Sequence, residues 1–320
     1  MTAPDRSDTA AAEAAATAGA PAAEAAASPA PGAGAGDSVG AGIVSIVLAT
    51  LFFGVMDASI KWLSESYPVP QVTFFRALFG LVPFLPIILG TGGGALRLNR
   101  PVPVLLRSLL APAAMLCIFG SFSLLPLAEA TTIAFGAPIL MAALGVPLLG
   151  ERVGWRRWTA ILVGFVGVLI AARPNGMTLS AGAALALGGM VLYSLLMVWG
   201  RLLTRTDSAT GLSFYAMLTT TAIMACALPW FWVTPTWADL GIMAMMGMSG
   251  GVAVYFLTRA FQLAPVAVLS PFDYLNLPVA TFTGWLIWRE LPAEHVWWGA
   301  AVIIASGLFI VYRENRTGRA

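Results

Sequence analysis

Charge is the scarcest commodity in this chain. Only 10% of its 320 residues are charged, against roughly 25% in soluble domains, and it has one histidine and two cysteines. Cys117 and Cys226 both fall in apolar runs, which argues against a disulfide framework or a cysteine metal site. No HExxH, Walker loop or metal-ligand cluster occurs, so neither a metalloprotease nor a nucleotide-driven pump is indicated, and no cofactor or metal is expected. The net charge of +2 is too small to imply a nucleic-acid partner. The first 41 residues lack the basic start and continuous apolar core of a secretory signal; their Ala/Pro/Gly-rich composition reads as a disordered tail.

Hydrophobic residues, in contrast, make up 59% of the sequence, in repeated blocks of spanning length separated by short Arg-bearing turns. A bilayer core of about 30 Å takes roughly 20 apolar residues of helix. The fold class expected is all-α integral membrane. Ten spans are expected, near residues 42–63, 69–90, 104–125, 129–149, 158–173, 180–200, 210–232, 238–258, 265–288 and 295–312. Placing both termini in the cytoplasm puts thirteen basic residues on that side, Arg97, Arg107 and Arg259 among them, and leaves only Lys61, Arg173 and Arg289 outside. This positive-inside bias predicts N-in and C-in, with 314–320 as a cytoplasmic tail.

The sequence also repeats itself. A gapless shift of 139 residues pairs Phe75 with Phe214, Phe122 with Phe261, Pro126 with Pro265, Gly145 with Gly284, Glu151 with Glu290 and Trp158 with Trp297. Such an offset predicts duplication, with repeats at 42–173 and 180–313. Each repeat holds five spans, an odd number, so the second is expected upside down relative to the first. This is an architecture of secondary transporters, whose substrates bind between the repeats.

The stretches PLAEATTIAFGAPILMAALGVPLLGERVGWRRWTAILVGFVGVLI and PVAVLSPFDYLNLPVATFTGWLIWRELPAEHVWWGAAVIIASGLFIVY, with DASIKWL and FFRALFG, resemble the drug/metabolite transporter superfamily in its branch with two EamA domains. The resemblance covers roughly Gly42 to Arg313. It implies a ten-helix fold and transport of a small metabolite: an amino acid, a nucleoside-like compound, S-adenosylmethionine, riboflavin or a metal-binding small molecule. The Gly-Glu pair that it implies at the end of the fourth helix is present as Gly150–Glu151. The ninth helix has Arg289–Glu290 instead, so a tight glycine turn is not expected there.

What the repeats share serves folding; what only one has can serve a ligand. Glu151 and Glu290 read as carboxylates favouring the positive ends of the helices that follow them, and Trp158 and Trp297 as interfacial anchors. Inside the spans stand Asp57, Lys61, Arg76 and Asp273, with counterparts Leu196, Gly200, Tyr215 and Ala134, so none of the four is repeated. A charge inside a membrane is costly, by about 2.5 to 3.5 kcal/mol at the helix centre. Asp57 and Lys61, four residues apart, share a helix face and are able to pair; Lys61 can instead snorkel to the surface. Asp57 and Arg76 lie at similar depth, roughly 8 to 10 Å below the outer surface, and are able to form an ion pair. Asp273 enters from the other side.

Pro138 and Pro278 interrupt the fourth and ninth spans, and each should free the carbonyl four residues earlier, Ala134 and Tyr274. Freed carbonyls at membrane depth line protein or a wet cavity. The expected substrate-binding and coupling residues are therefore Asp57, Arg76, Asp273, Tyr274 and Asn276, with Pro138 and Pro278 as helix breaks. Gly164 with Ala160, and Gly247 with Gly251, form small-xxx-small packing faces.

A second reading takes GMSGG, 247–251, as a serine-hydrolase motif around Ser249. The only histidine, His295, stands at a span end, roughly 10 Å or more away in depth. A third reading is a membrane interaction protein without transport, which gives no use to an acid in the ninth span. The expected partners are a small metabolite, the bilayer and a proton or exchange solute; a homodimer stays open.

Overall fold

The structure is a computed structural model that describes residues 35–86, 96–149, 155–172, 180–203, 206–263, 269, 272 and 274–317. Within them the chain is helical, without a strand: α1 (Ala35–Ser64), α2 (Val69–Gly80), α3 (Pro101–Ser108), α4 (Leu110–Leu124), α5 (Leu127–Ala134), α6 (Ala137–Leu149), α7 (Trp155–Ala172), α8 (Ala181–Leu203), α9 (Ala209–Phe231), α10 (Trp237–Leu263), α11 (Asn276–Trp288) and α12 (Glu294–Thr317). Six segments are long and apolar enough to cross a membrane: Val39–Ser64, Pro101–Leu124, Leu127–Leu148, Ala181–Leu203, Thr210–Phe231 and Trp237–Leu257. Shorter apolar helices cover Val69–Phe84, Trp158–Ala172 and Glu294–Phe309.

Helix reaches into both of the expected tails. The first helix begins at Ala35 rather than near Gly42. The last runs to Thr317, past the expected end at 313. Residues 1–34 of the expected disordered tail, and Gly150–Glu151, lie outside the described residues.

Prolines shape the spans. Pro83 cannot bond the Phe79 carbonyl, and α2 gives way after Gly80 to a 3-10 turn over Val82–Phe84 instead of continuing through 69–90. Pro112 likewise divides the third span into α3 and α4 around Leu109. Pro138 stands just inside α6, beyond a break at Phe135 and Gly136 where Gly136 N–H bonds the Ile133 carbonyl at 3.0 Å. Pro278 occupies the first turn of α11, where a missing N–H costs little.

The most extensive helix packing follows the 139-residue offset. α1 packs on α10 and α11, and α10 also on α2; shifted by 139, these become α8 on α4 and α6, and α4 on α9, all of which occur. α2 with α9 and α7 with α12 map onto themselves. Two helix groups result, each drawn from both repeats: α1, α2, α10 and α11 in one, and α3 to α6 with α8 and α9 in the other.

Glycines let these backbones approach. A Cβ at Gly247 would lie 2.5 Å from Phe79 Cβ and 3.0 Å from Gly80 N, and one at Gly251 would lie 2.1 Å from Pro83 Cγ. The α10 glycine face thus receives the proline kink of the second span. Gly164 faces Ile139 and Ser306, whose hydroxyl donates to the Ala160 carbonyl at 2.6 Å, joining α7 to α12.

Turns at opposite ends of the bundle are stapled at equivalent positions. At one end Tyr67 Oη donates to Asp239 Oδ2 at 2.7 Å, and Gln71 exchanges two hydrogen bonds with the Val233 backbone. At the other, Asp207 Oδ1 accepts from the backbone N–H groups of Asn99 (2.6 Å) and Arg100 (3.2 Å), and Oδ2 accepts from Thr206 Oγ1 (2.7 Å). Burial pushes the Asp207 carboxyl up, but these bonds and the Arg100 charge hold it below the ordinary carboxylate range. A depressed folded-state pKa adds stability that is complete above the unfolded pKa near 3.8 and lost as pH falls through the folded value.

Two stability measurements in detergent check this fold. Gly247→Ala should lower stability by about 1 to 3 kcal/mol because its neighbours are Phe79 Cβ and backbone atoms, which cannot rotate away; Gly241→Ala, where a Cβ meets nothing within 4 Å, should be neutral or stabilising by up to about 1 kcal/mol. Asp207→Asn should lower the melting temperature at pH 7, and its deficit relative to the parent should shrink as pH falls below about 4, where the unfolded chain's carboxyl protonates first and the folded one follows at its lower value. An equal deficit at pH 3 and pH 7 would refute the Asp207 account.

Candidate functional site

Arg76 is a buried charge inside the second span. It lies mid-way along α2, 7% exposed, on the face turned to α1, α4 and α9. Its guanidinium meets three thioether sulfurs: Nη1 reaches Met217 Sδ at 3.3 Å and Met115 Sδ at 3.9 Å, and Nη2 reaches Met56 Sδ at 3.7 Å. The Phe119 ring centroid lies 6.0 Å from its Cζ. Gly250 leaves room beside it, since a Cβ there would stand 2.8 Å from Met56 Sδ and 3.9 Å from Arg76 Nη2. Methionine is an adaptable neighbour but a weak hydrogen-bond acceptor.

Asp57, on α1, and Tyr193, on α8, interact electrostatically with this guanidinium. The ion pair that the sequence suggested does not form as a direct contact: among the described residues the one pair within 4 Å is Lys61–Glu290. Asp57 stays half-buried, one turn beyond Gly54, where α1 is so close to α11 that a Cβ would lie 2.3 Å from Val279 Cγ1. Arg76 and Asp57 belong to one helix group, while Met115, Phe119, Tyr193 and Met217 belong to the other. The site therefore straddles the two groups.

Lys61 does not pair with Asp57 either. Its ammonium bonds the Glu290 carboxylate, donates to the Leu125 carbonyl at 3.3 Å and lies 4.9 Å from the Trp288 ring centroid. Trp288 Nε1 in turn donates to Glu65. Nor does Glu290 cap the following helix. Arg289 adopts φ 57°, the left-handed conformation expected of glycine, and bonds from Arg289 N–H to Trp285 O and from Glu290 N–H to Gly284 O close α11. That turn aims Glu290 at Lys61. Stacking on Trp285 at 5.3 Å helps hold Arg289 in place.

The ninth-span residues are only partly brought in. Asp273 lies outside the described residues. Tyr274 packs on the Phe135 ring, 5.6 Å between centroids, and its hydroxyl fills the space where a Gly307 side chain would be, on α12. Its carbonyl is not free: Leu277 N–H bonds it at 3.1 Å, in a tight turn that replaces the bond lost to Pro278. Asn276 Oδ1 is buried and has no hydrogen-bond partner among the described residues, an acceptor left open at the start of α11.

Arg107, grouped by sequence with the topological arginines, is 1% exposed and donates Nε to the Leu196 carbonyl at 2.9 Å. The Met56, Met115 and Met217 cradle was missed as well. The available signal was that none of its positions repeats, the counterparts being Leu195, Val254 and Leu78. Ser249 donates to its own helix at the Met246 carbonyl, 3.0 Å, with no base bonded to it among the described residues. Trp158 and Trp297 are 40% and 52% exposed, as interfacial anchors should be.

Residues 40–173 and 180–312 each match the EamA-like transporter family. The chain is 31% identical over 282 residues to the riboflavin transporter of Rhizobium johnstonii, covering 85% of this chain and 91% of that one. It is 28% identical over 260 residues to the S-adenosylmethionine uptake transporter of Rickettsia bellii (81% and 89%), and 28% over 269 residues to the pseudopaline exporter CntI of Pseudomonas aeruginosa (83% and 91%). A crystal structure 18% identical to it superposes with a TM-score of 0.60 over 88% of this chain and 99% of its own length, a likeness of fold.

The Lys61 cluster makes an asymmetric prediction. Its side chain is 6% exposed, that of Glu290 35%. Glu290→Gln strands a buried ammonium and should cost up to about 3 to 5 kcal/mol. Lys61→Met strands a carboxylate that water reaches and should cost within about 1 kcal/mol. Thermal unfolding of both variants in the same detergent reads the difference; equal losses would refute the assignment of Lys61 as the buried partner.

Proposed function

The chain belongs to the EamA-like transporter family and is a multi-pass membrane protein, a transporter rather than an enzyme; from that premise we propose that it moves a small zwitterionic or cationic metabolite by alternating access. Ten spans in two inverted repeats, 42–173 and 180–313, carry the motion. In support, the most extensive helix pairings map onto one another under the 139-residue offset, as a twofold-related pair of repeats requires. The rocking bodies are the two mixed helix groups, and the cavity lies between them.

The observation that carries the reading is the charged pair at that boundary. Arg76 and Asp57 face the interior, attract each other without touching, and are replaced by Tyr215 and Leu196 in the other repeat, so folding a repeat does not require them. Ionisable groups at such depth, set against a boundary between bundles, are where transporters hold substrates. Asp273, Tyr274 and Asn276 line the opposite part of the path, with the open Asn276 acceptor as the feature that favours it. The likeness to named importers and an exporter leaves direction open, while S-adenosylmethionine, riboflavin and pseudopaline point to amino-acid-derived or vitamin-like solutes. Gradients or exchange drive the cycle, since no nucleotide motif occurs.

The protein sits in the inner membrane with both termini inside. Exposed arginines Arg97, Arg100 and Arg259 lie toward one end of the bundle, and exposed Trp230, Trp237 and Trp298 toward the other, a distribution that supports the positive-inside assignment.

Uptake and efflux of a metabolite panel in proteoliposomes test the proposal. The parent should transport a member of the panel, and Asp57→Asn and Asp273→Asn, folded to the same extent, should each lose at least tenfold in rate. Undiminished transport at every pH by either variant removes that residue from the mechanism.

A further inference from the structure

The geometry points to Arg76 as the anion-reading end of the site: the transported solute carries a carboxylate, which takes up the Arg76 guanidinium in place of the methionine sulfurs while its cationic end faces Asp57. This rests on the transporter reading and commits it to one substrate class, a carboxylate-bearing zwitterion.

A buried guanidinium needs good acceptors, because leaving its donors unmatched away from water is expensive. Among the described residues Arg76 bonds only thioethers, at 3.3 to 3.9 Å, and these accept poorly. Tyr215, its counterpart in the other repeat, is satisfied by the Leu96 carbonyl at 3.3 Å. The guanidinium is thus held in place by soft contacts and stays underused as a donor. Its planar fork matches a carboxylate edge to edge.

The surroundings fit displacement. Methionine side chains have three rotatable bonds and repack readily, and the three come from α1, α4 and α9, so one ligand group between them touches both helix groups. Gly250 keeps the flank of Nη2 clear, and Phe119 covers one face with an aromatic ring.

Charge count selects the class. At this end of the path Arg76 and Asp57 sum to zero, and a zwitterion leaves the pair neutral with each end matched. A cation lacking an anionic group leaves Arg76 unmatched and adds like charge beside it. A dianion overcompensates one guanidinium and repels Asp57. Net-neutral loading matters because the site must cross a low-dielectric interior in both access states.

Matched probe pairs test this in proteoliposomes of the full chain: S-adenosylmethionine with its decarboxylated form, L-arginine with agmatine, and L-tryptophan with tryptamine. Among pairs that are transported, the carboxylate member should exceed its amine partner at least tenfold in kcat/KM. Arg76→Met should abolish that preference. Arg76→Lys, which keeps the charge but loses the fork, should raise KM for the carboxylate member alone, and it decides the matter if Arg76→Met does not fold. An amine transported within tenfold of its carboxylate partner, or a preference that survives Arg76→Met, overturns the subsite while the transporter reading stands. A folded protein that moves no solute of either panel overturns the transporter reading itself.

Discussion

Inside a bilayer the backbone has no water to bond to, and most of this structure follows from that constraint. Every place where the helical ladder is broken must be closed by protein. Pro83, Pro112, Pro138 and Pro278 each remove a bond, and at each the chain answers locally: a 3-10 turn after Gly80, a second helix starting at Leu110, a bond from Gly136 N–H to the Ile133 carbonyl, and one from Leu277 N–H to the Tyr274 carbonyl. The kinks then become docking features. The Pro83 kink seats against Gly247 and Gly251, which lack the side chains that would hold it off.

Duplication explains which parts of the sequence were readable. Positions shared across the 139-residue offset announce helices, turns and packing partners, and the glycine faces at 160–164 and 247–251 behave as their spacing implies. Straightness was not readable, because the expected spans at 69–90 and 104–125 bend where proline sterics compete with hydropathy, and a hydropathy window sees only the latter. At the site, the sequence marked Asp57, Lys61 and Arg76 by their cost in a membrane. It mispaired them, since partner choice depends on which helices become neighbours. Lys61 found Glu290, 229 residues away, in place of Asp57 one turn back. The methionine cradle carried no cost signal at all, thioethers being at home in lipid and protein alike.

Arg289 shows the same limit in the backbone. A residue other than glycine in the left-handed region costs roughly 1 to 2 kcal/mol, so the sequence argued against a tight turn after α11. The turn forms because two hydrogen bonds close the helix, Trp285 stacks on the guanidinium, and Glu290 is delivered to Lys61. Local strain is covered by contacts that only the assembled molecule provides.

The Lys61 cluster also bears on the energy of transport. Two inverted repeats of identical sequence would make the inward-open and outward-open states mirror one another, with equal free energy. Here the equivalence is broken. Lys61 bonds Glu290 and Trp288 within its own helix group and the Leu125 carbonyl of the other group, whereas its counterpart is Gly200, which has no side chain to offer. Among the described residues, the Lys61 position therefore has a tie between the groups that the Gly200 position lacks. Separating the groups at the Lys61 end must break this tie, while separating them at the other end leaves it intact. A bond from a charged donor contributes about 1.5 to 3 kcal/mol, enough to shift a two-state population by a factor of ten or more. On the alternating-access reading, the empty transporter rests with the Lys61 end closed, and a bound solute must supply at least that difference to open it.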